Sequence, residues 1–276
     1  MNAQKNLQIN FFPGDEWLYL KIYGGVRSAD KILATVIAPI SKVLLEEGMI
    51  DQWFFIRYKD PEEHLRIRFH LLDFAAFSKI ISMVRTGLEP MIASKRVWNV
   101  NIDTYQREIE RYGLDTMELA ESFFCVNSEL VIDLFNKHQN EIQFFAASLL
   151  LAEKILSALE QEEKRALVGA MQNAYHQEFN VTTATKRSLV LKFKNYNIID
   201  LSENHINFKE DLILKQDQIL TNCRETILNL SNADALKSLF SSFVHMSINR
   251  CFCIHQRIFE MMIYDFISQR LKNRKC

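Results

Sequence analysis

The apolar positions in the first part of the chain alternate between strand-like and helix-like spacing. Residues 17–23 are rich in aromatic and β-branched side chains and run into two glycines, which is typical of a strand that meets a turn. Apolar residues then recur at helical spacing from position 32 to position 44, which predicts a helix. Ser28 is expected to cap this helix, Pro39 to kink it and Gly48 to end it.

A strand pair and a second helix follow. Residues 53–58 and 64–71 are strand-like and are separated by a short turn-forming segment, so they predict a hairpin. Asp73 is expected to cap a helix that ends at Gly87, and residues 97–102 return to strand character. The resulting order, β-α-β-β-α-β, predicts a ferredoxin-like split unit.

After Gly113 the pattern becomes almost wholly helical. The predicted helices cover residues 115–137, 140–160, 162–179, 209–229 and 233–272. Residues 181–208 have the weakest pattern. Because a sheet with one open face needs a cover, we predict an α+β fold with a sheet-containing half, residues 1–113, and a helical half, residues 114–276, in one compact domain. A cleft is expected at the junction, residues 96–113.

Composition and charge narrow the class of protein. Apolar residues make up 48% of the 276 residues, and only 7 Gly and 4 Pro are present, which favours a helix-rich globular fold. With 33 basic and 34 acidic side chains, the chain has no global attraction to a polyanion, so no direct nucleic-acid partner is expected. No stretch approaches the roughly 20 apolar residues that span a bilayer. We therefore expect no membrane insertion, reduced thiols at the 5 cysteines and a cytoplasmic location.

The second strand of the predicted hairpin places basic side chains on one face. Residues 65–70 alternate strictly, so Arg66, Arg68 and His70 share a face. Two neighbouring guanidinium groups repel each other unless an anion lies between them. Either this is a solvated face with ion pairs, or it is a carboxylate-binding fork, for which the planar guanidinium is suited.

Ionisable and phenolic side chains are concentrated at the end of the junction. This segment contains Tyr105, Glu108, Arg111 and Tyr112 and ends at Gly113. If it begins a helical turn, Glu108 and Arg111 lie three residues apart on one face and can pair. An ordinary surface ion pair explains this spacing equally well, unless the cleft partly desolvates the group.

The last helical segment carries a histidine on an apolar helix. His245 and Asn249 are four residues apart and share a face. Such a histidine is either a hydrogen-bonded core residue or a general acid or base. The nearby Cys251, Cys253 and His255 do not share one helical face, so no zinc site is expected.

Four motifs, in chain order and at matching spacing, resemble those of one family. The family is the C-terminal glutamate-elimination domain of lantibiotic dehydratases, also described as the thiopeptide-type bacteriocin biosynthesis domain. The resemblance covers nearly the whole chain. Two departures concern details of the cleft, since the family often has a second glycine where Leu114 stands and an Asp-Ser pair at Asn127-Ser128. The motifs are residues 17–25, residues 51–68, residues 105–113 (with E-x-x-R-Y-G) and residues 245–250 (H-M-x-x-N-R).

The resemblance implies the elimination half of a split dehydratase, which is a lyase. A separate tRNA-dependent glutamylating subunit would esterify Ser or Thr of a ribosomally made precursor peptide, consisting of a leader and a core. The elimination protein would then release glutamate and leave dehydroalanine or dehydrobutyrine. The implied partners are therefore the precursor peptide, the glutamylating subunit and a cyclase, and no metal or organic cofactor is expected.

The resemblance also implies roles for individual residues. By position, the catalytic residues of the family fall on Arg68, Glu108, Arg111 and His245. The expected substrate-binding residues are Arg66, Tyr105, Tyr112, Asn249 and Arg250. These residue types suit β-elimination, because arginines can bind the glutamyl carboxylate and offset enolate-like charge, while a histidine can relay the proton.

Two alternatives remain open. One is a thiopeptide pyridine synthase, which carries out a formal cycloaddition between two dehydroalanines and has no glutamate to bind. The other is a non-catalytic module that binds the leader peptide, for example by adding it as a strand to a sheet edge. The joint presence of Arg68, Arg111 and His245 favours elimination over both.

Overall fold

The structure is a computed structural model that describes residues 7–137, 141–184, 187–188, 191 and 206–273. It is a mixed α/β fold whose chain divides into two compact units, residues 1–135 and residues 136–276. This boundary lies later than the change of pattern at Gly113, because the next long helix packs on the sheet of the first unit.

The first unit is built on a four-stranded antiparallel sheet with the strand order β3-β4-β2-β5. A second, two-stranded sheet pairs β1 with β6. The predicted hairpin is confirmed as β3 and β4. The strands are β1 (Asn10–Phe11), β2 (Trp17–Gly24), β3 (Ile50–Lys59), β4 (Glu63–Leu71), β5 (Val97–Asp103) and β6 (Tyr105–Gln106).

The helices of the first unit connect and cover these strands. They are α1 (Val26–Ile32), α2 (Ala38–Glu46), α3 (Ala75–Ala93), α4 (Ile109–Tyr112) and α5 (Met117–Lys137). Asp73 lies one residue before Phe74, the N-cap position of α3, and its Oδ1 accepts the backbone N–H of Ala75 at 2.9 Å. The sheet buries apolar side chains such as Leu20, Phe55 and Ile67 completely.

The predicted cap of the first helix was wrong. The helix begins directly after Gly25, whose carbonyl accepts the N–H of Ser28 at 2.8 Å, so Ser28 lies inside α1. Between α1 and α2, residues Leu33–Ile37 form a π-helical turn, and Pro39 follows in the first turn of α2. Proline is compatible with that first turn because it needs no N–H there.

The predicted end of the second helix at Gly87 was also wrong. Helix α3 continues through Gly87 to Ala93. A Cβ atom at Gly87 would lie 2.7 Å from Cγ1 of Val36, so this glycine allows the helix to approach the π-helical turn closely. Its role is packing rather than termination.

Helix α5 runs along the outer edge of β3. The hydroxyl of Ser128 accepts the backbone N–H of Phe55 at 3.3 Å, and the side chain of Gln52 donates to Ser122 at 3.3 Å. Because an edge strand otherwise presents unpaired backbone groups, this helix protects that side of the sheet.

The described part of the second unit is helical. Its long helices are α6 (Glu141–Leu156), α7 (Gln161–Glu178), α8 (Glu210–Asn229), α9 (Ala233–Cys251) and α10 (Gln256–Asn273). Most of residues 181–208 lies outside the described part of the chain. None of the helices in the described residues is long and apolar enough to cross a membrane.

The prediction of one continuous helix over residues 233–272 was wrong. The chain leaves α9 at Phe252, which is extended, and His255 has a φ of 56°, so the hydrogen-bond ladder is interrupted before α10. The break has a packing cause, because the ring of Phe252 stacks on Phe259 at 4.1 Å and contacts Phe144 edge-on.

Candidate active site

The guanidinium of Arg68 is surrounded by three aromatic rings on one face of the sheet. The register places it opposite Tyr19 on β2 and Phe54 on β3. Its guanidinium carbon is 4.5 Å from the ring centre of Tyr19, 5.2 Å from that of Phe54 and 4.5 Å from that of Tyr105. Such rings attract a cation through their negative faces. They cannot, however, accept the directed hydrogen bonds that a guanidinium offers to a carboxylate.

The guanidinium of Arg68 has no anionic partner in the described part of the chain. The side chain is only 5% exposed, and its Nε and Nη1 atoms are buried without any hydrogen-bond partner there. A buried charge without a counterion is costly, by several kcal/mol or more. Arg68 therefore carries a buried charge that no described residue of the protein compensates.

A second buried arginine lies close by and is fully paired. Arg107 donates from Nε and Nη2 to the two carboxylate oxygens of Glu121, at 2.8 and 2.6 Å. The hydroxyl of Tyr105 donates to the same Glu121 at 2.8 Å. Burial, and then the charge of Glu121, raises the pKa of Tyr105 well above its ordinary value. Tyr105 is therefore an uncharged aromatic ring beside the guanidinium of Arg68, and it is unsuited to act as a base.

The rest of this sheet face is basic, as the alternation of residues 65–70 predicts. Arg66 lies opposite Lys21, its guanidinium carbon is 3.4 Å from the ring centre of Tyr58, and its Nε donates to His64 at 3.2 Å. Lys21 forms an ion pair with Asp103, and the pKa of Lys21 is raised by that hydrogen bond. The face thus carries a partly exposed arginine beside the enclosed Arg68.

The remaining residues of the junction segment form a short turn. Glu108 precedes α4, and its Oε2 lies 3.7 Å from Nη1 of Arg111; the side chain of Glu108 is exposed and that of Arg111 is partly exposed. Tyr112 is buried and packs edge-on against Phe124 at 5.1 Å. Arg111 and Glu108 are therefore accessible to a ligand, whereas Tyr112 is a packing residue.

In the second unit, His245 is oriented by a buried carboxylate. Its Nδ1 lies 2.9 Å from Oε2 of Glu260 on α10. The side chain of Glu260 is 1% exposed, whereas that of His245 is 29% exposed. His245 is therefore neither a fully buried core residue nor a free surface histidine. The geometry is that of a histidine held by a carboxylate, as in many general acid–base sites.

The two other residues of the H-M-x-x-N-R motif have structural contacts. Arg250 is completely buried and donates from Nη1 to the carbonyl of Met246 at 3.1 Å. Asn249 lies 3.5 Å from the side chain of Gln256, at the break between α9 and α10. The Arg250 bond lies within α9, whereas the Asn249–Gln256 contact joins the end of α9 to the start of α10.

Several residues that build these two sites were not predicted from the sequence. Tyr19 could have been found, because the alternation of β2 puts it on the same face as Lys21 and opposite the arginines. Glu260 carried no such signal, since it is separated from His245 by a chain reversal between two helices. Among the described residues, no group of three or more His, Cys, Asp or Glu side chains could hold a metal ion.

Residues 17–271 match the family model of the lantibiotic biosynthesis dehydratase C-terminal domain, so the chain belongs to this family. It is 28% identical to the nisin biosynthesis protein NisB of Lactococcus lactis subsp. lactis over 94% of this chain and 26% of NisB. It is 29% identical to the subtilin biosynthesis protein SpaB of Bacillus subtilis over 60% of this chain and 17% of SpaB. The chain thus spans about a quarter or less of the length of these relatives.

Solved structures share the fold. The tRNA-dependent lantibiotic dehydratase MibB from Microbispora matches with a TM-score of 0.71 and 18% identity, over 95% of this chain and 29% of MibB. The pyridine synthase TbtD from thiomuracin biosynthesis matches with a TM-score of 0.62 and 11% identity, over 94% of this chain and all of TbtD. At these identities the likeness concerns the fold alone.

Proposed function

We propose that this chain is a lyase that removes glutamate by β-elimination from glutamylated Ser or Thr residues of a ribosomally made precursor peptide. In this role it is the elimination half of a split lantibiotic-type dehydratase and acts after a separate glutamylating subunit. The products are dehydroalanine or dehydrobutyrine and free glutamate. Membership of the dehydratase C-terminal family supports this assignment.

The observation that carries the proposal is the buried guanidinium of Arg68 without a counterion among the described residues. A glutamyl ester has a free side-chain carboxylate, which can accept two parallel hydrogen bonds from a guanidinium. Binding of that carboxylate would compensate the buried charge of Arg68. The partly exposed Arg111 and Arg66 are the further cations that we assign to the glutamyl group.

The elimination itself needs a base and stabilisation of negative charge. The base removes the Cα proton of the esterified residue, the electron pair forms the Cα–Cβ double bond, and the Cβ–O bond breaks to release the glutamate carboxylate. We assign proton removal to His245, because its ring is partly exposed and oriented by Glu260. Fixed guanidinium groups stabilise the charge that develops during the step.

Cycloaddition is the second candidate function, and the fold likeness to TbtD supports it. A cycloaddition between two dehydroalanines has no glutamate carboxylate to bind, so it gives no role to the unpaired charge of Arg68.

We also propose that the sheet half is a ferredoxin-like split unit, supported by the strand order β3-β4-β2-β5 with antiparallel pairing throughout.

The proposed function is tested by co-expressing a glutamylating partner and its precursor peptide with either wild-type protein or His245→Phe. Phenylalanine keeps most of the ring volume but cannot transfer a proton. Wild-type protein should yield dehydrated peptide, and the variant should accumulate glutamylated peptide, since general acid–base groups contribute roughly 10²- to 10⁴-fold in rate. Mass spectrometry of the peptide distinguishes the two products.

The control is His176→Phe. His176 also pairs with a carboxylate of α10, Asp265, at 2.7 Å, but it belongs to α7. This variant should dehydrate the peptide normally. Complete dehydration by folded His245→Phe would remove His245 from the mechanism, and failure of the wild-type protein to dehydrate any glutamylated peptide would refute the proposed function.

A further inference from the structure

Glu260 is a buried carboxylate whose position is explained by His245. It lies on α10, and its Oε2 is 2.9 Å from Nδ1 of His245 on α9. Tyr175 of α7 and Tyr264, one turn further along α10, also face it. Burial, and then the charge of Glu260, raises the pKa of both phenols, so neither phenol supplies a negative charge nearby.

A structural role alone explains this carboxylate poorly. Moving a carboxylate out of water costs several kcal/mol, and replacing a buried ion pair by apolar residues is often neutral or stabilising. The neighbouring Met261, Met262 and Ile263 show that this part of α10 accepts buried apolar side chains readily. The position of Glu260 is therefore better explained by what it does to the imidazole.

The hydrogen bond sets which ring nitrogen of His245 carries the proton. An ionised carboxylate can only accept a hydrogen bond, so Nδ1 of the neutral ring must be the N–H. The lone pair is then on Nε2. Within the described residues Nε2 has no hydrogen-bond partner, and the ring is partly exposed, so this nitrogen is available to a substrate.

We propose that Glu260 is a positioning residue that holds His245 in the Nδ1–H tautomer, so that Nε2 is the atom that accepts the Cα proton. The proton moves from Cα to Nε2, the C–H electrons form the double bond, and the glutamate carboxylate departs. The carboxylate of Glu260 stabilises the imidazolium that forms. This use of Nε2 rests on the proposed elimination function, but the tautomer itself does not.

The first measurement is nitrogen NMR of the full-length protein with ¹⁵N-labelled histidine, above the pH at which the ring is protonated. The His245 signals are identified by their loss in His245→Phe. The wild-type ring should show the Nδ1–H pattern. In Glu260→Gln the amide can donate as well as accept, so the Nε2–H form, which free imidazole prefers, should become populated.

The second measurement is single-turnover release of glutamate from a preformed glutamyl ester of the precursor peptide. Glu260→Gln should slow release by about 10²-fold or more, as expected when an amide leaves a catalytic histidine in the wrong tautomer. Glu260→Asp, which keeps the carboxylate, should recover part of the rate. Binding of glutamylated peptide should change little, because Glu260 does not contact it.

Asp265→Asn is the matched control. Asp265 also lies on α10 and pairs with a histidine, His176, and with Gln172 at 2.6 Å. The same acid-to-amide change there should leave both the His245 tautomer and the release rate at wild-type values.

An Nε2–H tautomer in the wild-type protein, or wild-type release by folded Glu260→Gln, would overturn the proposal. If Glu260→Gln does not fold, the tautomer of His245 in the wild-type protein is the readout that supports or overturns the proposal. Failure of the proposed function has a different signature, namely no release by the wild-type protein or full release by His245→Phe. That result would overturn the positioning role in elimination even if the Nδ1–H tautomer is observed.

Discussion

Two buried arginines in the first unit differ in how their charge is compensated. Arg107 donates two hydrogen bonds to Glu121, whereas Arg68 has three aromatic rings around it and no anion among the described residues. The side chains are similarly enclosed, at 8% and 5% exposure, and Tyr105 lies beside Arg68 while its hydroxyl donates to Glu121, the partner of Arg107. At Arg107 the protein supplies a buried guanidinium with a carboxylate partner, as a structural ion pair requires. We interpret the missing partner at Arg68 as the place of a ligand.

Removing the cation of the Arg107–Glu121 pair should change the stability of the protein most. Arg107→Met leaves the buried carboxylate of Glu121 without its cation, so the free energy of unfolding should fall by about 3–5 kcal/mol. Urea unfolding followed by circular dichroism measures this. The control is Arg85→Met, at an exposed arginine of α3, where the change should stay within about 0.5 kcal/mol. Equal effects at the two sites would mean that the Arg107–Glu121 pair is not a structural element.

A neutral buried side chain in the second unit also lacks hydrogen-bond partners among the described residues. Gln216 lies on the apolar side of α8, is completely buried, and neither of its amide atoms has a partner in the described residues. Gln216→Leu should raise the free energy of unfolding by about 1–3 kcal/mol, because an unsatisfied polar group is removed. Glutamate release should not change. A loss of release would show that this amide, too, belongs to a functional site.

The third test is the unpaired arginine itself. Arg68→Met removes the uncompensated charge and keeps a long apolar side chain, although it also loses the ring contacts, each about 0.5–2 kcal/mol. We expect a small net rise in the free energy of unfolding, about 1 kcal/mol, together with loss of activity. Urea unfolding gives the sign. Destabilisation as large as in Arg107→Met would indicate that Arg68 has a structural partner after all.

The smallest expected effect concerns the pH dependence of stability at His64. Burial lowers the pKa of His64, and the charge of Arg66 lowers it further. The unfolded chain therefore binds a proton more readily than the folded chain, and stability should decline as the pH falls below the ordinary histidine value of about 6.5. Urea midpoints at about pH 7.5 and about pH 5.5 should differ less in His64→Asn than in the wild type. An unchanged difference would contradict this contribution.

The sequence predicted the parts of the structure that depend on local pattern. The strict alternation of residues 65–70 places Arg66 and Arg68 on one face, and this is confirmed by the strand register. The failures have non-local causes. Gly87 was predicted to end a helix but makes room for Val36, and the break after Cys251 is stabilised by stacking of Phe252 on Phe259.

The same limit applies to the candidate site. The resemblance carried Arg68 and His245 onto the chain, but no local pattern shows that one lacks an anion and that the other is held by Glu260. Those properties depend on tertiary contacts, since His245 and Glu260 lie on different helices and Arg68 meets Tyr105 only through packing.

The most direct test of the Arg68 assignment is single-turnover glutamate release by Arg68→Lys from a preformed glutamyl ester. Lysine keeps the positive charge but loses the planar pair of donors, so binding of the glutamyl carboxylate should weaken. We predict that release slows at least about ten-fold, equivalent to about 1.4 kcal/mol, while Arg85→Lys releases glutamate at the wild-type rate. Wild-type release by folded Arg68→Lys would contradict the assignment of Arg68 as the anion-binding group.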